Sequence, residues 1–131
     1  MGDYLTNHNE DPQKFLPLTP AVFHILMSLA DQDLHGYGIM KEVERHSNGR
    51  VQLKPGTLYQ AIKRLLIAGL ILEADERADT KVSDERRRYY RLSNFGKKVM
   101  SEEAERLERL VNLARVKRIL NPSKNMSSLH F

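Results

Sequence analysis

The sequence predicts a mainly α fold with a small β-hairpin, in which three short helices and the hairpin precede one long C-terminal helix. Three segments between residues 18 and 68 repeat their apolar residues with the period of an α-helix. After Gly69 the period shortens to that of a strand, and after Ser93 a helical period returns for about twenty-five residues. The 131 residues are enough for one domain with a modest core.

The first two helices have recognisable ends. Thr19 is a favourable N-cap and Pro20 suits the first helical position, so a helix is predicted from there to near Asp31. The segment GYGIMKEVERHSNG predicts the second helix, since its apolar residues share one face and Asn48-Gly49 is a stop signal. The letters QDLH between the two helices predict a short connection.

The third helix is predicted over PGTLYQAIKRLLIA, residues 55 to 68. Pro55 fits the first helical position, where its missing N–H has no partner in any case. One side carries the apolar residues Leu58, Ile62, Leu65 and Leu66. The other side is small at its front, basic behind and free of acids: Gly56, Thr57, Gln60, Lys63 and Arg64. Before this helix, RVQL reads either as a very short strand or as an extended linker.

A hairpin is predicted from the two β-rich stretches LILEADERA and RRRYYRL, because the second alternates in the manner of a strand. The intervening DTKVSDE is polar and partly acidic, and no Asn-Gly or Asp-Gly pair fixes a tight turn. Three helices followed by a hairpin with a basic arm form a winged helix-turn-helix. The three consecutive arginines have a second interpretation, as a charged edge that prevents aggregation.

The last helix is predicted from the N-cap Ser93 to about Ile119, before Asn121-Pro122 ends it. At about 1.5 Å per residue it is roughly 38 Å long, more than a domain of this size covers. Its apolar stripe therefore needs a partner, and a second copy of the chain supplies one. The predicted dimer-interface residues are Phe95, Val99, Met100, Ala104, Leu107, Leu110, Val111 and Ala114.

Four regions follow from these elements. Residues 1–17 are polar and irregular and are expected to form a flexible N-terminal arm. Residues 18–92 form the winged-helix domain, residues 93–120 the dimerisation helix, and residues 121–131 a disordered tail.

The charge is concentrated around the third helix. The net charge of the chain is only +4, yet residues 41 to 64 hold six Lys or Arg and two acids, Glu42 and Glu44. Such a patch is either a solvated helix surface or a site for an anionic partner such as nucleic acid. The sequence alone leaves both interpretations open.

Several function classes find no support. The chain has no cysteine, so disulfides, thiol catalysis and thiolate metal sites are excluded. His24, His35 and His46 lie on different predicted elements and give no metal-ligand spacing, and no phosphate-binding glycine loop or nucleophile elbow is present. We expect no metal, no cofactor and no enzymatic activity. No apolar run is long enough to span a membrane and no signal peptide is evident, so we expect a cytoplasmic protein.

Three motifs carry a resemblance to a known family. HGYGI at residues 35–39, PGTLY at 55–59 and RRRYYRLS at 86–93 occur in order with family-like separations. With the residues around them, about 16 to 118, they resemble the PadR family of bacterial transcriptional regulators in its short form with a single C-terminal helix. The resemblance implies a homodimer that binds double-stranded DNA at a palindromic operator, usually as a repressor released by a small-molecule effector. A loop rich in acids before RRRYYRL departs from the family pattern.

A helix that enters the major groove needs a narrow front and no negative charge, and the third helix has both. Tyr59 either reaches outward or packs under the helix, and Tyr37 either touches phosphate or packs on the third helix. The predicted DNA-binding residues are Tyr37, Lys54, Gly56, Thr57, Tyr59, Gln60, Lys63, Arg64, Lys81, Arg86, Arg87 and Arg88. The alternative function is a winged-helix module that binds protein partners without DNA.

Overall fold

The computed structural model describes residues 10–74 and 88–121 of the chain. Four α-helices and three short strands follow one 3-10 turn in this part of the chain. The helices are α1 (Pro20–Ser28), α2 (Gly36–His46), α3 (Pro55–Ala68) and α4 (Asn94–Val116). The predicted order of helices is confirmed, although α1 and α4 each end about three residues before the predicted positions, in the last turn where helix ends fray.

Side-chain caps explain where most of these helices begin. The Thr19 hydroxyl accepts a hydrogen bond from the Val22 N–H at 3.2 Å, which starts α1. The Ser93 hydroxyl likewise accepts from the Gly96 N–H at 2.9 Å and starts α4. At α3, Pro55 takes the first position and no side chain caps the helix. Gly69 ends α3 with φ of 80°, a left-handed conformation that glycine adopts without strain.

The sheet has one strand more than the predicted hairpin. Its strands are β1 (Leu34–His35), β2 (Ile71–Glu73) and β3 (Tyr89–Leu92), in the order β1-β3-β2 with both pairs antiparallel. The segment QDLH, predicted to be only a connection, supplies β1. Two residues are too few to show a period, and pairing with β3 satisfies their backbone groups. RVQL forms no strand and acts as an extended linker into α3.

The core lies between α1, α2, α3, the sheet and the first half of α4. The predicted inward residues of α2 and α3 are buried at Ile39, Val43, Leu58, Ile62 and Leu65 and half-buried at Met40 and Leu66. Tyr90 and Leu92 alternate inward on β3 as the pattern indicated. Among the described residues, the core is a cluster of buried apolar side chains: Ile25, Leu26, Leu29, Ile39, Val43, Leu58, Ile62, Leu65, Leu70, Ile71, Tyr90, Leu92, Val99 and Met100. This single cluster makes the helix-turn-helix, the strands and the start of α4 one packed unit.

The start of α4 is fixed directly to the end of α3. The Ser93 hydroxyl donates to the Gly69 carbonyl at 2.6 Å, and the Ser93 N–H donates to the Leu70 carbonyl at 3.1 Å. A Cβ atom added to Gly96 would lie 2.1 Å from that same Leu70 oxygen, so only glycine allows this approach. The two helices are therefore joined rigidly where the strand β2 begins.

Residues 10 to 17 differ from the flexible arm that the sequence predicted. Pro12–Phe15 forms a 3-10 turn, and the Phe15 ring packs edge-on against Phe95 of α4 with ring centroids 5.7 Å apart. The Leu18 N–H donates to the Glu103 carboxylate at 3.0 Å. Apolar burial and this buried acceptor explain the order, and neither is visible as a local pattern.

Glu103 of α4 is buried, with only 1% of its surface exposed, and its charge is compensated. Arg106 donates through Nε and Nη2 to its two carboxylate oxygens at 2.6 and 3.1 Å. These bonds hold the pKa of Glu103 below its ordinary value; burial opposes the shift, and the Leu18 N–H adds to it. Glu103 therefore links the N-terminal segment to α4 as an anion.

The two halves of α4 have different surroundings. Val99 and Met100, predicted at a dimer interface, are instead buried within the protomer, and Phe95 is covered by Phe15. Beyond Glu103 the helix leaves the core. The large apolar side chains exposed from there to the end of the described chain are Leu110, Val111, Leu113, Val116, Ile119 and Leu120. The protomer covers only the first half of the apolar stripe.

Candidate nucleic-acid interface

The outer face of α3 is uncovered along its whole length. Successive residues of a helix are turned by about 100°, so Gly56, Gln60 and Lys63 fall on one side and Leu58 and Ile62 on the other. Leu58 and Ile62 are buried at 0% and 2% exposure, which fixes the rotation of the helix. The residues predicted to face outward, and the candidate Lys54 just before the helix, are all exposed: Lys54, Gly56, Thr57, Gln60, Lys63 and Arg64. The structure thus brings these six sequence-predicted residues together on one surface.

This surface carries positive charge and no acid from its own segment. Residues 45 to 72 contain five Lys or Arg and no Asp or Glu. The next acid, Glu73, accepts a salt bridge from Arg88 at 3.0 Å. No carboxylate from the segment itself therefore repels an anion that approaches α3.

The front of α3 is narrow and its backbone is accessible. A Cβ atom added to Gly56 would meet nothing within 4 Å, so the space in front of the first turn is open. Within the described residues, no side chain accepts a hydrogen bond from the first N–H groups of the helix, which leaves them to water or to an anion. Thr57 and Gln60 add a hydroxyl and an amide to the same exposed front.

The two tyrosines that the sequence singled out have different positions. Tyr59 is half-buried, and its ring packs on the core with the hydroxyl against Gly36 at the start of α2. Tyr37 is 61% exposed, and the Lys41 ammonium lies 5.6 Å from the centre of its ring. The open question about Tyr59 is therefore answered in favour of packing under the helix. Tyr37 and Lys41 line an open cleft of α2 together with Glu44 and the linker residues Gln52 and Leu53.

Two arginines in the described part of the chain, Arg88 just before β3 and Arg91 within it, are paired with acids of the same protomer. Arg88 binds Glu73 of β2, and Arg91 donates through Nε and Nη2 to both carboxylate oxygens of Asp33 at 3.2 and 2.9 Å. These pairs link β3 and the residue before it to β2 and to the segment that leads into β1. No local pattern signals the pairing of Arg91 with Asp33, because the two residues lie 58 positions apart. The predicted contacts Lys81, Arg86 and Arg87 lie outside the described residues.

The part of the chain that the structure describes holds neither a cluster of metal ligands nor a membrane-spanning helix. Within residues 10–74 and 88–121, no group of three or more His, Asp or Glu side chains is arranged to hold a metal ion. In the same ranges, no helix combines the length and apolar character that a membrane crossing requires.

A winged helix-turn-helix with an exposed, basic, acid-free third helix defines the class of winged-helix transcriptional regulators. Residues 25–102 match the model of the PadR-like family of transcriptional regulators. The chain belongs to this family, and the resemblance seen in the three sequence motifs is confirmed. PadR-like proteins act as regulators and not as enzymes, which confirms the expectation that this chain has no catalytic role.

Individual relatives agree with this assignment. A transcriptional regulator from Mycobacterium tuberculosis is 33% identical over 87 residues, which cover 66% of this chain and 75% of that protein. The crystal structure of a PadR family regulator from Clostridium difficile has a TM-score of 0.53 at 29% identity, covering 75% of this chain and 98% of the other. A transcriptional regulator from Clostridium thermocellum has a TM-score of 0.58 at 27% identity, with 72% and 86% of the two chains covered.

Proposed function

We propose that this protein is a homodimeric repressor that binds a palindromic DNA operator by inserting the front of α3 into the major groove. The observation that carries the proposal is the outer face of α3, which is exposed, narrow at its first turn and free of acids over residues 45 to 72. A groove about 12 Å wide admits a helix whose leading side chains are small. The phosphates that line both sides of the groove attract the Lys and Arg side chains around the front of α3.

The residues divide by the part of DNA that they reach. Gln60 and Thr57 carry the donors and acceptors that read base edges, and Gln is well matched to the N6 and N7 atoms of adenine. Lys54, Lys63 and Arg64 end in cations that bind backbone phosphates. Tyr37 is the contact from α2, since its ring is largely exposed beside Lys41.

The hairpin strands β2 and β3, the wing of the winged helix, contribute less to DNA binding than α3 does. Arg88 is engaged by Glu73 and has less free charge to offer a phosphate than Lys63 has. Lys81, Arg86 and Arg87 are proposed as additional phosphate contacts on the basis of sequence alone.

The dimer rests on the second half of α4. Leu110 is 50% exposed and Val111 is 39% exposed, and with Leu107 and Ala114 they form a stripe at the spacing of a helix–helix contact. Two copies that pair through this stripe are related by a two-fold axis and present two copies of α3. A two-fold arrangement of reading helices matches a palindromic site. Repression and release by a small-molecule effector follow from the resemblance to the family.

A binding titration at two salt concentrations tests the proposal. The DNA is the duplex enriched from genomic fragments by the purified protein, and the comparison is a scrambled duplex of equal length and composition. We expect affinity for both to fall with salt with a log–log slope of about 0.9 per phosphate neutralised, and the enriched duplex to stay tighter throughout. If the protein retains no fragment and binds neither duplex, the winged-helix domain serves protein partners instead.

A further inference from the structure

A close contact between α2 and α3 lies beside the exposed face of α3 that is proposed to read the DNA bases. Gly36 is the first residue of α2 and is buried. A Cβ atom added there would lie 2.3 Å from the Tyr59 hydroxyl oxygen, 2.7 Å from Cζ and 3.0 Å from Cε1. Side-chain Cβ atoms do not approach other atoms below 3.0 Å, so the phenol tip occupies the space that any other residue at position 36 would need.

The α2 side of this contact is held by the sheet. His35, the residue before Gly36, pairs with Tyr89 of β3 in the sheet register. Its Nδ1 atom also accepts the Gly38 N–H at 2.9 Å and so caps α2. The imidazole and the Tyr89 ring lie 5.1 Å apart between centroids. The start of α2 is therefore held in place, and a displacement at the contact falls first on the Tyr59 side chain.

The α3 side of the contact adjoins the reading residues. Tyr59 stands between the buried Leu58 and the exposed Gln60. An ordinary contact begins at 3.4 Å, so a methyl group on residue 36 would push Tyr59 away by about 1 Å. The displaced atoms are the far end of the Tyr59 side chain, so α3 moves by the part of this shift that the ring, packed against the core, does not take up by rotating. Hydrogen bonds span only about 0.5 Å in donor–acceptor distance, so a shift of α3 by that amount removes a base contact.

We propose that Gly36 and Tyr59 form a spacer that sets the position of α3 relative to α2 and the sheet, and with it the reach of Gln60 into the groove. Tyr59 is accordingly a positioning residue and makes no base contact of its own. The proposal rests on the proposed DNA-binding function. It assigns a role in sequence readout to a glycine that the DNA does not touch.

Compensating substitutions test the spacer. Gly36→Ala forces the clash, Tyr59→Leu removes the phenol tip, and the double variant restores the fit, because the added methyl enters the vacated space. Each protein is titrated with the enriched duplex and with the scrambled duplex at one salt concentration. For Gly36→Ala we expect the ratio of the two affinities to fall about tenfold or more, the size of one lost base contact, while affinity for the scrambled duplex changes less than about twofold. The double variant should recover most of the ratio.

Thermal unfolding monitored by circular dichroism separates readout from folding. Gly56→Ala is the matched control for this measurement, since its added Cβ meets nothing within 4 Å. If Gly36→Ala does not fold, Tyr59→Leu alone carries the test, because loss of the spacer should lower the affinity ratio of a folded protein. An unchanged ratio in a folded single variant, or a double variant as defective as Gly36→Ala, would overturn the spacer. A wild-type protein that prefers neither duplex would instead overturn the DNA-binding proposal.

Discussion

Replacing Leu107 and Leu110 of α4 with Glu should convert the protein into monomers. Leu110 is half exposed in the protomer, so burial of its remaining surface against a partner contributes about 1 kcal/mol. A carboxylate in its place loses this term and adds an unpaired charge at a closed interface, which costs several kcal/mol more. Two-fold symmetry doubles every change. The double substitution should therefore weaken association by about 6 kcal/mol or more, at least about 10⁴-fold in Kd.

Sedimentation equilibrium at micromolar concentration measures the effect, and a titration with the enriched duplex measures its consequence. A monomer contacts only one half-site of the palindrome, so it lacks the contacts that the second subunit makes with the other half-site. Monomers should therefore also lose the tight binding of the palindrome. Circular dichroism checks that the variant is folded, as expected from the distance of both residues from the core cluster.

Val116→Glu is the matched control. Val116 is 77% exposed and lies on the opposite side of α4 from Leu107, since nine residues make two and a half turns. It should leave the dimer intact. A double variant that sediments as a dimer would refute the interface, and a Val116→Glu protein that sediments as a monomer would move the interface to the other face.

Three further outcomes are expected. Gln60→Ala should lower affinity for the enriched duplex by about 1–3 kcal/mol more than for the scrambled one, while Lys63→Ala should weaken both about equally in the same titration. Lys63→Ala should also reduce the salt slope by about one, whereas Arg88→Ala should change it less, because the Arg88 guanidinium is paired with Glu73. The pKa of Glu103 is lower in the folded protein than the ordinary value of 4.5, so ionisation of this side chain stabilises the fold. This stabilisation is present above pH 4.5 and is lost as the pH falls through the pKa of the folded state. Urea unfolding between pH 7 and pH 3 should therefore show a smaller pH dependence for Glu103→Gln than for wild type; equal dependence would exclude this role.

The helices and the buried side of β3 were predictable from the sequence because their causes are local. Caps such as Thr19 and Ser93 act within three residues, and Gly69 ends α3 through its own backbone conformation. Periodicity then assigns each residue to a face, which is why the buried Leu58 and the exposed Gln60 were placed correctly. The exposed residues of the candidate interface follow from the same rule.

Tertiary structure alone decided which of these faces are covered, and by what. Leu34 and His35 become a strand only because β3 offers its edge, and residues 10 to 17 pack on α4 only because Phe95 and a buried carboxylate meet them there. Periodicity marks Val99 and Val111 as members of one apolar stripe, yet the protomer buries the first and leaves the second partly exposed. Contacts between residues far apart in the chain leave no local pattern, because their free energy arises only when the folded chain brings both partners together.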